Sequence, residues 1–320
     1  MRILSTILLM IFASNQAYGA KSPREVEINP ASTSDMTDTP EAMKSLETIE
    51  TILQRISDRT GKDDHGDKNA NFDLQWDAYY GSDDCGHDEP AETLIPAEAS
   101  AMDTTDEPDG SRLHILAAAG NLQQTAEVQA LISAGADINK GDSFGWTPLH
   151  TAVRYGSTWM MLILISAGAD LNKEENNGRT PLHIAVQYGK RWIISILISA
   201  GADINKIDNY GQTPLHIAVQ YGHRESVRIL LTVGAKVDVT NNLGKTPLQM
   251  AVYYGNKVAV KLLILAGADV NKADNDGCTP LYEATRRGHT KIVRYLLNGG
   301  AIVDVTNSYG HTPLMHATRK

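Results

Sequence analysis

The sequence predicts an all-α solenoid: a row of stacked helix–turn–helix units joined by β-hairpin-like loops and preceded by a long acidic segment. Three observations carry that prediction. The tetrapeptide Thr-Pro-Leu-His, or a close variant, begins at Thr147, Thr180, Thr213, Thr246, Thr279 and Thr312, a constant step of 33 residues. A second marker, Gly-Ala-Asp or a variant, keeps the same step at Gly135, Gly168, Gly201, Gly234, Gly267 and Gly300. Charge also divides the chain. Residues 21–110 hold 7 Lys and Arg against 23 Asp and Glu, a net of −16, whereas residues 111–320 hold 21 against 15, a net of +6. Two markers on one period mean a single unit copied in tandem, and such chains offer a long surface to a partner.

In chain order, residues 1–20 read as a signal peptide. Arg2 supplies the positive start, Ile3–Ala13 the apolar stretch, and Ala17-Tyr18-Gly19 the small-x-small cleavage pattern. The apolar run is too short for a spanning helix, so export with cleavage after Gly19 or Ala20 is expected, and no membrane span afterwards. Residues 21–110, rich in Ser, Thr, Pro and Asp, read as mostly disordered. One amphipathic helix is predicted near 40–60. Thr39-Pro40-Glu41 starts it, Ala42, Leu46, Ile49, Leu53 and Ile56 share a face, and Gly61 stops it. That face has three possible uses: docking on the repeats, self-pairing, or gripping a partner.

The repeat unit follows from helix chemistry. In residues 208–240, Asp208-Asn209-Tyr210-Gly211-Gln212 is a turn, Thr213 an N-cap, and Pro214 the first helical residue, where its missing N–H costs nothing. The first helix runs through Leu215, His216, Ile217, Ala218 and Val219 to Gly222. A second contains Val227, Ile229, Leu230 and Leu231 and ends at Gly234. Each is too short to be stable alone in water, so burial against the next unit must stabilise it.

These residues resemble the signature of the ankyrin-repeat family: Asp208, Gly211, Thr213, Pro214, Leu215, His216, Ala218, Gly222, Gly234 and Ala235 all stand at its spacing. The resemblance runs from about Ser111 to the end. It implies units at 142–174, 175–207, 208–240, 241–273 and 274–306, a divergent first unit at about 111–141, and a half unit at 307–320. In the first unit Ser111-Arg112-Leu113-His114 replaces the motif and three extra residues fall near Asn121–Thr125. The half unit is either a cap or the stump of a lost pair. A leader in front of such repeats resembles exported bacterial ankyrin proteins, which implies a secreted effector or a periplasmic binder.

Scaffold and candidate binding residues separate by register. Thr147, Pro148 and His150, Thr180, Pro181 and His183, and Thr213, Pro214 and His216 are structural: in this family the His resembles a capping partner for the Thr. Stacked helices lie about 8–10 Å apart, so one ion with Zn–N bonds of about 2.0 Å cannot be shared between units through these His. Asp67–Asp73 has the oxygen spacing of a calcium loop but lacks its Gly and its closing Glu. Cys85 and Cys278 are the only cysteines, and a disulfide between them is not expected. No catalytic residue, cofactor or metal is predicted, since no nucleophile elbow, phosphate loop or His-Glu-x-x-His occurs. Lys and Arg are interspersed with carboxylates along 111–320, so nucleic acid is not the expected partner.

The resemblance places Tyr155, Tyr188, Tyr221 and Tyr254, one per unit, along a concave groove, with Arg287 taking over in the next. Arg154 and Arg286 stand beside them, and Phe144, Trp146 and Tyr210 lie on the hairpin tips. A Tyr/Arg stripe of this kind has the composition of a protein-binding surface. The competing reading is that each Tyr merely covers a helix end. Trp159 and Trp192, a second pair at the repeat step, read either as packing between units or as an apolar patch. The expected function is a non-catalytic, exported scaffold that binds a protein partner through its concave face. The alternative is a structural tether, or an inhibitor regulated by its acidic N-terminal segment.

Overall fold

The structure is a computed structural model that describes residues 110–120 and 124–317. The expected signal peptide, the acidic segment with its helix near 40–60, and Cys85 lie outside the described residues. Among the described residues the secondary structure is helical, with no strand. No helix there is long and apolar enough to cross a membrane.

The helices alternate between two layers. The inner layer comprises α1 (Gly110–Ala119), α3 (Pro148–Tyr155), α5 (Pro181–Gln187), α7 (Pro214–Gln220), α9 (Pro247–Tyr253), α11 (Pro280–Arg287) and α13 (Pro313–Ala317). The outer layer comprises α2 (Thr125–Ser133), α4 (Thr158–Ser166), α6 (Arg191–Ala200), α8 (Arg224–Thr232), α10 (Lys257–Leu265) and α12 (Thr290–Asn298). Each inner helix packs on the next inner helix and on the outer helix that follows it in sequence. Successive outer helices from α6 to α12 also pack in a row. The core is continuous along the stack. Leu182, Leu215 and Leu248, then Ala185, Ala218 and Ala251, all fully buried, let the inner helices approach closely. Leu197, Leu230 and Leu263 seal the outer layer against them.

The Thr-Pro-Leu-His motif does two jobs. Thr213 is the N-cap of α7 and accepts from the His216 backbone N–H, while Pro214 holds the first helical position. His216 Nδ1 accepts from the Thr213 N–H at 3.1 Å, and His216 Nε2 donates to the Lys245 carbonyl of the next unit at 3.1 Å. His150 and His183 repeat both contacts, donating to the backbone carbonyls of Arg179 and Gln212. His114 makes the cross-unit contact at an offset of 32 residues rather than 29, which reflects the three-residue insertion in the first unit. Gln249 reproduces the pattern without an imidazole: its Oε1 accepts from the Thr246 N–H and its Nε2 donates to the Cys278 carbonyl, both at 2.9 Å. The resemblance anticipated a cap; the bolt to the next unit emerges from the stacking.

The hairpin loops stack as well. Within one loop the Asp208 N–H donates to the Gln212 carbonyl at 2.9 Å, and between loops the Asn242 N–H donates to the Tyr210 carbonyl at 3.0 Å. Asn176, Asn209, Asn242 and Asn275 each donate a side-chain amide to the preceding loop. Gly211 shows why the turn needs glycine. Its φ is +72°, and an added Cβ would lie 2.6 Å from Asn242 Oδ1 and 2.9 Å from Asn242 N.

Candidate protein-binding face

The inner helices are buried until they end. From Pro181 to Val186 every residue is buried; Gln187 is the first to surface and Tyr188 is exposed. The same holds in α7, where Gln220 and Tyr221 emerge after a buried run. In these two helices solvent therefore reaches the inner layer through a strip formed by the helix ends and the hairpin residues beside them.

Side chains eight residues apart bridge the two parts of that strip. The Arg154 guanidinium lies 5.2 Å from the Trp146 ring centre, and Arg179 Nη1 donates to Gln187 Oε1 at 3.0 Å. Gln212 Nε2 donates to Gln220 Oε1 at 3.4 Å, and Lys245 Nζ sits 4.8 Å over the Tyr253 ring. Four consecutive units thus span hairpin to helix end with three kinds of chemical pair: cation–ring in the first and last, cation–amide and amide–amide between them. A row of constant geometry and varied chemistry is what a selective surface needs, because each unit presents a different contact at one position.

The richest part surrounds Tyr253. Its ring lies 3.7 Å from the Arg287 guanidinium on one side and meets Tyr254 edge-on at 5.1 Å. Burial pushes the Tyr254 phenol above its usual range, with Tyr253 and Tyr221 adding to the shift. Arg286 and Arg287 both converge on Glu283, Arg286 Nη2 donating to it at 2.8 Å. Burial works to raise the Glu283 carboxyl, but the two guanidiniums outweigh it and hold it below the usual carboxylate range. One carboxylate against two guanidiniums leaves one positive charge, joined nearby by Lys245. Both arginines stand out in the sequence by their register, whereas Glu283 does not. The signal was available in the Glu-Ala-Thr-Arg-Arg run, whose spacings of three and four place all three side chains on one helix face.

Other selected residues fall into two groups. Phe144, Tyr210, Tyr188, Tyr221 and Tyr254 are 68, 56, 44, 44 and 47% exposed, open enough to be contacted. Trp146 and Tyr155 are half-buried, and Trp146 packs against the core while lying 6.0 Å from the His150 ring. Tyr221 is stacked on His223 at 6.3 Å with the planes 7° apart, so it covers a helix junction as well as facing solvent. Trp159 and Trp192 are partly buried against the core, and Trp159 Nε1 donates to Thr125 Oγ1 at 2.9 Å, which fits the packing reading.

The fold and its strip define a class: a helical repeat scaffold with an extended contact surface. The family model for ankyrin repeats (3 copies) matches residues 80–175, 113–208, 167–241, 201–274 and 248–320, and the chain belongs to the ankyrin-repeat family. Among solved structures, the crystal structure of the ankyrin repeat domain of Bcl-3, described as a unique member of the IkappaB protein family, is similar to it. That match has a TM-score of 0.61 and 31% identity, and covers 66% of this chain and 94% of the other. Matches to solved structures number 594, so the likeness identifies an architecture shared by many chains and not a partner. The chain matches no curated protein.

Proposed function

We propose that this ankyrin scaffold is non-catalytic and exported, and that it binds a partner protein along the strip from Trp146 to Arg287. The observation that supports this most directly is the Tyr253 cluster, an aromatic ring in contact with both Lys245 and Arg287 beside half-exposed Tyr254. Aromatic and arginine side chains fixed by neighbours lose little entropy on binding and are the usual energetic centres of protein interfaces. Export rests on the leader-like residues 1–20.

Two substitution sets test the binding reading: Tyr188→Ala with Tyr221→Ala and Tyr254→Ala, and separately Tyr253→Ala with Arg287→Ala. Each is expected to weaken a captured partner by about 30-fold or more, equivalent to about 2 kcal/mol, while helicity measured by circular dichroism is retained. Unchanged affinity in both sets sinks the assignment. Export is checked by the mass of the chain recovered outside the cytoplasm, which should lack residues 1–19 or 1–20.

A further inference from the structure

Folding sorts the charges of the repeat domain. The helices α6, α8, α10 and α12 carry seven Lys and Arg and a single carboxylate, Glu225. Their net charge of +6 equals that of the whole of 111–320, so the rest of the domain is neutral. The register sets these cations in two rows. Arg191, Arg224 and Lys257 occupy the first position of three successive outer helices, and Arg228, Lys261 and Arg294 stand at a second shared position one helical turn further on. Arg191, Lys257, Lys291 and Arg294 are exposed. Glu225 lies near two of the arginines, at 3.9 Å from Arg224 and 3.7 Å from Arg228.

Fold stability gives no reason for this placement. The first turn of a helix favours anions, yet α6, α10 and α12 have no acidic residue there and α6 and α10 open on a cation. Like charges on neighbouring helices about 8–10 Å apart add repulsion. An anionic ligand along this face would meet the cations and the helix dipoles together. The same chain contains such a ligand. From residue 69 to residue 109 there are twelve Asp and Glu and no Lys or Arg.

We propose that this acidic stretch lies in cis across the outer face of α6, α8, α10 and α12, opposite the proposed partner-binding strip. Its densest part, Asp83, Asp84, Asp88, Glu89 and Glu92, covers about 30 Å when extended, close to the span of four stacked helices. The 17 residues between Glu92 and Gly110, where α1 begins, span roughly 23 Å as a coil and roughly 60 Å at full extension. The tether therefore reaches the face and holds the carboxylates at an effective concentration on the order of millimolar. That favours the chain's own segment over a free polyanion at ordinary concentrations. Because the face differs from the partner-binding strip, the inference stands or falls independently of the proposed function.

Zero-length carbodiimide coupling of carboxylates to lysines in the full chain, read by mass spectrometry, tests it. The expected result is intramolecular cross-links from residues 69–109 concentrated on Lys257, Lys261 and Lys291. They should fall about tenfold when salt rises from about 0.1 M to about 1 M and the screening length drops from about 10 Å to about 3 Å. Arg191→Glu with Arg224→Glu and Arg294→Glu leaves the reporter lysines in place and should lower the yield by a similar factor. If that variant does not fold, the salt series on the unaltered chain decides. Cross-links mainly to Lys245 would put the segment in the groove and overturn the proposal. So would an even spread over Lys173, Lys206 and Lys236. Displacement of the segment at physiological salt by a short DNA duplex or by phosphatidylserine vesicles would overturn it in favour of that occupant.

Discussion

His150, His183 and His216 are fully buried, and burial lowers each imidazole from 6.5 to about 4 despite the opposing pull of the backbone hydrogen bond to the next unit. Protonating Nδ1 would set a donor against the Thr N–H that it now accepts from. The folded-state values lie below the unfolded ones, so the stabilisation is complete above about pH 6.5 and is lost as pH falls towards 4. Denaturant midpoints should accordingly drop steeply between pH 7 and pH 4. Gln249 shows that glutamine fills the same place, so replacing all three histidines by Gln should flatten that dependence while preserving the fold. A dependence as steep as that of the original chain would mean other groups control acid stability. Glycine offers a second comparison. Gly211 and Gly222 have φ of +72° and +74°, but a Cβ on Gly211 strikes the next loop whereas one on Gly222 meets open space. Gly222→Ala should cost about 1–2 kcal/mol from backbone strain alone, and Gly211→Ala measurably more in the same denaturation assay.

Individual helices here are seven to ten residues long where they recur regularly, too short to persist alone. What holds α7 is Leu215, Ala218 and Val219 against α5 and α9, all fully buried. Leu215→Ala should therefore cost about 2–5 kcal/mol, well above the cost of losing one cap, at about 1 kcal/mol. At this scale most of the architecture was legible. Thr-Pro marks each regular inner-helix start because an N-cap and an N–H-less first residue satisfy the helix end locally, and those starts recur at Pro148, Pro181, Pro214, Pro247, Pro280 and Pro313. The outer helices were less sharply marked, since α6 and α8 begin without a side-chain cap hydrogen bond. The 29-residue reach of His216 was not legible either, because it depends on how far the next loop folds back.

Over the whole molecule, stability is a sum of units and their interfaces, so damage at one interface should divide the stack. His216→Ala with Leu215→Ala weakens the junction between α7 and α9. Unfolding is expected to be a single transition in the original chain and to separate into two in the variant when followed by fluorescence and circular dichroism. One coincident transition in the variant would show that the interfaces are strong enough to transmit the loss.

Sequence alone determined the unit, its length, its helix starts and its glycine-dependent turns, because each of these depends on backbone chemistry within a few residues. It also placed Tyr188, Tyr221 and Tyr254 at one shared position. Tertiary structure decided the rest. Contacts across 8, 29 and 33 residues join hairpin to helix end and unit to unit, and only packing brings those atoms within bonding range. The two arginines converge on Glu283, where their charge is partly compensated. Cations that alternate with carboxylates along the chain face outwards together on α6 to α12, because stacking turns a 33-residue period into neighbours about 10 Å apart.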